Sequence, residues 1–312
     1  MQSLKVKIYI AGHTGLVGSA VLKELTRKGY KNLVFKSSKE LDLKNQKETE
    51  VFFKKERPEY VFLCAAKVGG ILANSSYPAQ FIYENLAIQN NVIHFSYKYG
   101  ARKLLFLGSS CIYPKLAVQP IKENSLLSGY LEETNKPYAV AKIAGITMCQ
   151  SYNAQYKTNF ISAMPTNLYG PGDRFDAETS HVIPALLLNF HRAKKENKKF
   201  AVVWGTGKPR REFLYIEDLA KALVFLMKFY NGPDIINVGT GEDISIKELA
   251  YIIKEVVGFK GSIRFDASKP DGTPRKLLDV SNIRSLGWQP EIPLEEGLKK
   301  EYRWFLKNYA RK

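Results

Sequence analysis

The feature that most restricts how this chain can fold is a glycine loop set between a readable strand and a readable helix. An apolar run, Val6–Ala11, leads into Gly12-His13-Thr14-Gly15-Leu16-Val17-Gly18, and a helical pattern runs from Leu16 to Lys28. Glycine is needed where the backbone turns sharply, and where a Cβ would block a pyrophosphate or the packing of helix on strand. The helix N-terminus then offers free N–H groups to phosphates. A glycine-rich motif alone is weak, but between a strand and a helix it marks a dinucleotide-binding βαβ unit. Gly12, His13, Thr14, Gly15, Leu16, Val17 and Gly18 are therefore read as cofactor-binding.

The rhythm that follows agrees with this. Leu33–Phe35, Tyr60–Cys64, Lys103–Leu107 and Phe160–Met164 read as strands, separated by helical patterns at Gln46–Glu56, Phe81–Tyr99 and Tyr138–Tyr156. Such alternation predicts an α/β fold, a Rossmann-like doubly wound parallel sheet, which binds ligands at the carboxyl ends of its strands. After Asn167 the rhythm breaks at the turn Tyr169–Arg174 (YGPGDR). A helix around His181–Lys194, strands at Ala201–Gly205 and Ile235–Val238, and helices at Ile246–Val257 and Leu294–Tyr309 follow. The expectation is a dinucleotide-binding domain over 1–168, with one return segment from the second half. A smaller, mixed α/β substrate-binding domain is expected over 169–312.

Length and charge narrow the function classes. A chain of 312 residues buries a sizeable core without staples, and Cys64, Cys111 and Cys149 show no metal-ligand spacing, so no metal is expected. Unpaired cysteines, the absence of a signal-peptide pattern and the absence of an 18–20-residue apolar run (the length a span needs, roughly) point to a cytoplasmic protein without a membrane partner. The net charge of +17 is spread along the chain. With no aromatic-interleaved basic module, it fits attraction of phosphorylated small molecules better than nucleic-acid binding.

The second strand ends in Phe35-Lys36-Ser37-Ser38. An acid there would accept from the ribose 2′-OH of NAD, whereas a basic Lys36 suits the 2′-phosphate of NADP. Ser109 and Ser110 directly follow the fourth strand, and Tyr138 and Lys142 stand four apart, one helical turn from each other. Reducing a ketone requires a proton on oxygen. A tyrosine with its ordinary pKa of about 10 is a sluggish acid–base group, which a nearby ammonium brings towards neutrality. A serine hydroxyl can hold the substrate oxygen in place. Glycine loop, strand-end serine and YxxxK in this order identify the extended short-chain dehydrogenase/reductase superfamily.

Further segments make the match narrower: Ala65–Ile71 (AAKVGGI), Gly108–Pro114 (GSSCIYP), Pro137–Gly145 (PYAVAKIAG), Met164–Pro171 (MPTNLYGP), Ser180–Leu187 (SHVIPALL), Arg211–Leu214 (REFL) and Lys269–Asp279 (KPDGTPRKLLD). Over nearly the whole chain the sequence resembles the GDP-L-fucose synthase family, the GDP-4-keto-6-deoxy-D-mannose 3,5-epimerase/4-reductases. That resemblance implies epimerisation at C3 and C5 of a GDP-4-keto-6-deoxy-sugar, then reduction at C4 with hydride from NADPH, by a homodimer. It assigns Ser109, Tyr138 and Lys142 to the reductase triad and Cys111 and His181 to proton exchange at carbon. A C4 ketone acidifies the C3 and C5 hydrogens, and a thiol and an imidazole are suited to moving such protons. It places Leu107, Gly108, Ser110, Pro165, Thr166, Asn167, Leu168, Lys142 and His181 along the cofactor, and Asn189, Trp204, Arg211, Asp271 and Lys276 along the GDP-sugar. Two positions depart from the family pattern, which carries arginine at both. Thr14 leaves NAD use open beside NADP, and Asn189 leaves open a variant sugar such as a 6-deoxy-heptose. A 4-reductase without epimerase activity and a non-catalytic dinucleotide-binding protein are the competing readings; intact Tyr138, Lys142, Cys111 and His181 speak against both.

Overall fold

The computed structural model describes residues 1, 3–176, 180–269 and 271–310; Pro270 of the KPDGTPRK segment lies outside them. The first half runs β1 (Ile8–Ala11), α1 (Leu16–Arg27), β2 (Leu33–Val34), α2 (Gln46–Glu56) and β3 (Tyr60–Leu63). It continues through α3 (Ile71–Ser76), α4 (Pro78–Lys98), β4 (Lys103–Leu107), α5 (Lys136–Tyr156) and β5 (Phe160–Pro165). Next come β6 (Asn167–Tyr169), α6 (Val182–Lys195), β7 (Phe200–Trp204), β8 (Arg210–Tyr215), α7 (Ile216–Phe229) and β9 (Ile235–Val238). The chain closes with β10 (Asp243–Ser245), α8 (Ile246–Val257), β11 (Ser262–Asp266), β12 (Arg275–Lys276), α9 (Ser281–Ser285) and α10 (Leu294–Asn308).

The central sheet has the order β2-β1-β3-β4-β5-β9, and every pairing in it is parallel. β4 and β5 are buried at every position, as expected of parallel strands covered on both faces. The chain leaves β1 for β2 on one side and returns to β3 on the other. A crevice therefore opens at the carboxyl ends of β1 and β3, where open parallel sheets take their ligands. Helix α7, which sequence reading left unassigned, buries its broad apolar side against α1 and the sheet and turns Glu217, Lys221 and Lys228 outward. It delivers the chain to β9, the return strand, whose Ile235 pairs with Ser162 of β5.

A second core joins α6, α8 and α10 to β7 and β8 through Leu187, Phe190, Ile253, Leu298 and Phe305. Local signals set its helices: Ser245 and Glu248 form a capping box at the start of α8, and Gly258 closes it in the left-handed conformation. The two cores are tied by β6, which pairs with β8, and by the fully buried Glu212 of β8. The Glu212 carboxylate accepts from the backbone N–H groups of Gly241 (2.8 Å) and Leu278 (2.9 Å). Among the described residues no helix is long and apolar enough to cross a membrane.

The second core also contains two carboxyl groups short of partners. Both oxygens of Glu301 and Oδ2 of Asp173 are buried without a well-formed hydrogen bond. Burial raises Glu301 well above the usual carboxylate range and the Asp173 charge adds to it, with the Gly170 N–H offsetting only part. A carboxyl raised in the folded state contributes stability below its unfolded pKa, and that stability is lost as pH rises through the folded value. Glu301→Gln, which keeps the shape of the neutral acid, is expected to flatten the fall in Tm between pH 5 and 9. At the alkaline end it should melt several degrees above the parent, at about 2–4 °C for each kcal/mol, by calorimetry.

Candidate active site

The glycine loop turns at the head of β1. Gly12 has φ +85°, and a Cβ there would lie 2.7 Å from the Ala65 backbone nitrogen at the end of β3. A Cβ on Gly18 would overlap the Gly12 carbonyl, so α1 can sit on the loop only with glycine at this position. Gly15 caps α1 in extended conformation without a side-chain cap, and no acid stands in the first turn. The positive end of the helix thus keeps unneutralised N–H groups facing the crevice, which fits a dinucleotide pyrophosphate. The Gly18→Ala change should weaken NADPH binding at least tenfold and cost about 1–3 kcal/mol of stability, read by fluorescence titration and denaturant unfolding.

At the end of β2, the Lys36 ammonium lies 3.1 Å from Glu40, whose carboxylate also accepts from the Ser37 N–H (2.9 Å) and hydroxyl (2.7 Å). These donors hold Glu40 down at about 2, the Ser37 N–H contributing most. No acid directly follows β2, and the Lys36 side chain there is exposed and paired with Glu40. His13 turns its ring to Phe35, 4.7 Å between centroids, while Thr14 is exposed.

The fourth strand and the fifth helix meet at the carboxyl edge. Gly108 donates to the Ala163 carbonyl (2.9 Å), holding the β4 exit against β5, and Ser109 follows in extended backbone. Helix α5 lies close on β4 because Gly145 leaves room; a Cβ there would meet Phe106 Cε1 at 2.8 Å. That approach carries Lys142 into the sheet edge, where it is 3% exposed and donates to the Leu107 carbonyl at 2.7 Å. Burial lowers its ammonium to about 8. Tyr138, one turn earlier, faces Ser109, whose hydroxyl favours the phenolate, but burial and the nearby Cys111 raise the phenol above its ordinary value.

This differs from the sequence-based expectation that Lys142 brings Tyr138 towards neutrality. The ammonium stands 5.8 Å from the Tyr138 ring centre and 4.8 Å from that of Phe106, engaged with a carbonyl instead of the phenol oxygen. Burial dominates, and it favours the neutral phenol, the form that can donate a proton to a ketone oxygen.

Cys111 begins one residue beyond the buried Ser110, in a short 3-10 turn, its N–H donating to Ser109 Oγ (3.2 Å). Its sulfur accepts from Asn135 Nδ2 at 3.4 Å and Lys276 Nζ at 3.7 Å. Lys276 thus meets the thiol, where sequence reading had it closing over a nucleotide. Arg211 is brought to the same place. Burial lowers its guanidinium, opposed by the neighbouring Cys111 and Asp271. Asp271 accepts from the Thr206 N–H (2.9 Å) and hydroxyl (2.6 Å), fixing the loop before β12. Cys64 and Cys149 lie apart from this cluster, and burial pushes both thiols up to about 12.

Other expected residues are placed differently. Trp204 is 65% exposed at the end of β7, with Lys269 Nζ 5.5 Å from its ring centre, so it is not a core tryptophan. Asn189 donates to the Val202 carbonyl (2.7 Å) and is committed to the β7 backbone. Thr166 and Asn167 both donate to the Glu212 carbonyl (3.2 and 2.8 Å), so their side chains join β6 to β8 beside the cofactor crevice. Pro165 pairs with Val238, and Leu168 packs on the main core. A side chain on Gly108 would collide with Met164. His181 caps α6 and is exposed; its described neighbour is Asp173, on which its charge acts, and no contact with Tyr138 or Cys111 occurs among the described residues. Asn135 and Asp173 were missed by sequence reading, since neither stands at a spacing that marks chemistry. No cluster of metal-ligating residues occurs among the described residues.

The sequence matches the NAD dependent epimerase/dehydratase family over residues 8–239. It is 59% identical over 303 residues to the probable GDP-L-fucose synthase 1 of Oryza sativa subsp. japonica, covering 97% of this chain and 92% of that protein. It is 53% identical over 316 residues to the GDP-L-fucose synthase of Escherichia coli K12, with 98% of each covered. Among solved structures it is similar to a GDP-mannoheptose C4 reductase from Campylobacter jejuni with NADP bound. That likeness has a TM-score of 0.90 and 44% identity, covering 98% of this chain and 99% of that one. With a parallel six-stranded sheet, the glycine loop and the serine–tyrosine–lysine edge already in place, these likenesses assign the chain to the NAD dependent epimerase/dehydratase family and, within it, to the GDP-L-fucose synthases.

Proposed function

We propose that the protein epimerises GDP-4-keto-6-deoxy-D-mannose at C3 and C5 and then reduces C4, giving GDP-L-fucose. The observation that carries this reading is the thiol of Cys111 lying in one cluster with Ser109 and Tyr138. A ketone reductase has no use for that thiol, whereas proton exchange at carbon beside a ketone requires such a group.

Residues Gly12–Gly18, Lys36, Leu107, Gly108, Ser110, Lys142, Pro165–Leu168 and His181 would hold NADP, which supplies a hydride to C4 when bound as NADPH. Ser109 holds the C4 oxygen and Tyr138 gives it a proton. The carbonyl polarised in this way is also what acidifies C3 and C5, so one set of donors serves both halves of the reaction. Cys111 and His181 act as the acid–base pair at carbon, each handling the proton on its own face of the ring. Arg211 engages diphosphate oxygens with its forked donors, Trp204 covers the base or sugar, and Asp271 holds the loop that lies over the nucleotide.

The direct test incubates the purified protein with NADPH and GDP-4-keto-6-deoxy-D-mannose. Absorbance should fall at 340 nm and NMR should identify GDP-L-fucose; an unconsumed substrate, or a product keeping the manno configuration at C3 and C5, would refute the reading. A second reading, a GDP-linked 4-keto-6-deoxy-heptose as substrate, is favoured by one observation. Asn189 is held by the Val202 carbonyl and does not offer the cation familiar at that position. The same assay with the heptose separates the two. We further infer a homodimer joined through α4 and α5, supported by exposed Tyr83 and Val140 on those helices, and a cytoplasmic location, supported by three free cysteines.

A further inference from the structure

Lys276 sits in the KPDGTPRK segment, which sequence reading gives to the nucleotide, yet its ammonium is directed at sulfur. β12 runs parallel to β8 in a register that pairs Lys276 with Arg211, so two cations are delivered from adjacent strands towards Cys111, Lys276 in the lining of its cavity and Arg211 near enough to act on the thiol. The Lys276 ammonium reaches the Cys111 sulfur at 3.7 Å, and the Asn135 amide reaches it from the other polypeptide segment at 3.4 Å. Cys111, Glu132, Asn135, Thr273 and Lys276 line one small cavity. Glu132, the acid in that lining, is paired with Lys115, which lines the same cavity, at 3.0 Å. Lys276 has no carboxylate partner among the described ion pairs, so its charge remains available to the sulfur.

We propose that Lys276 and Asn135 form a cradle for the Cys111 sulfur, with Lys276 the positioning residue that balances the negative charge the sulfur carries during proton exchange. This rests on the reading of Cys111 as an acid–base group. When the thiol protonates the enolate carbon, the S–H bond breaks and a C–H bond forms from the enolate electron pair. The S–H electrons stay on sulfur as a thiolate, 3.7 Å from the ammonium. In the opposite direction the thiolate takes a proton from carbon and the charge passes to the C4 oxygen, which Ser109 and Tyr138 receive. No electron acceptor or other co-reactant is needed. A cation beside sulfur stabilises the charge left there when its proton moves to carbon, whereas a lysine that merely binds diphosphate leaves sulfur reactivity unchanged.

The test uses the full-length protein and iodoacetamide at pH 7, without sugar, with the alkylated peptide identified by mass spectrometry. Cys149, buried with a raised thiol pKa, reports on unfolding if it reacts. Lys276→Met should slow Cys111 alkylation roughly tenfold or more, and Lys276→Arg should recover most of it, as expected for loss and return of a cation beside a thiolate. The same two variants are then followed by deuterium exchange at C3 and C5. Lys276→Met should lower kcat for exchange, while reduction of a substrate already epimerised at both carbons continues. Unchanged alkylation in Lys276→Met, with only KM raised, would overturn the proposal and return Lys276 to the diphosphate. Undiminished exchange in Cys111→Ser would instead remove the acid–base reading of Cys111, and the alkylation result distinguishes that failure from this one.

Discussion

Tyr138→Phe is expected to lower kcat for NADPH-dependent reduction by about 10²–10⁴-fold while leaving the affinity for NADPH within a few-fold. The phenol is the side chain that acts on Ser109 at the β4 edge, and phenylalanine preserves the ring that packs against Phe81 at 6.4 Å. The loss therefore reads chemistry and not packing. Because burial and the nearby Cys111 hold the phenol above its ordinary value, the neutral acid persists across the neutral range. Reduction should consequently show no acid limb assignable to Tyr138 between pH 6 and 8. Stopped-flow absorbance of NADPH checks both statements. A Tyr138→Phe variant that reduces within tenfold of the parent would show that another group protonates the C4 oxygen.

The second large effect concerns carbon. Cys111→Ser should abolish deuterium incorporation at one of C3 and C5 or at both, lowering exchange by about 10²–10⁴-fold, the usual contribution of a positioned acid–base group. A hydroxyl in place of the thiol keeps the size of the side chain and its place between Asn135 and Lys276, but an alcohol is a far poorer proton donor and base in water. Reduction of a substrate supplied already epimerised should persist, since Ser109, Tyr138 and Lys142 are untouched. The Cys111→Ser/His181→Ala double variant extends the test: exchange that survives in it would remove both residues from the carbon chemistry. Proton NMR in deuterated buffer gives the answer site by site.

The dinucleotide half was legible because its signals are local. A glycine with positive φ, another that admits no Cβ against a carbonyl, and the apolar runs of β4 and β5 all declare themselves within a few residues. Boundaries moved slightly: β1 starts at Ile8 and β2 stops at Val34, since neighbouring strands, not propensity, decide where pairing begins and ends. Helix α7 is amphipathic, with Glu217, Lys221 and Lys228 on its outer side, so its pattern was there to be read and sequence reading passed over it. The substrate side was less legible. Arg211, Asp271 and Lys276 were marked by resemblance, but only the parallel register of β12 on β8 shows that Lys276 meets a thiol 165 positions away. Asn189 was noticed for its unusual identity, and its actual role, a hydrogen bond to the Val202 carbonyl, depends on α6 lying against β7. The influence of Asp173 on Glu301 joins residues on a turn and on the last helix, with nothing in either segment to announce it.

Proton exchange at carbon and reduction at C4 are assigned to a single pocket. One measurement addresses this most directly: GDP-4-keto-6-deoxy-D-mannose and unlabelled NADPH are converted by the wild-type protein in D2O, and the product is examined by NMR. The account predicts GDP-L-fucose carrying deuterium at C3 and C5 and protium at C4. A reduced product with protium at all three carbons and unchanged configuration at C3 and C5 would contradict it.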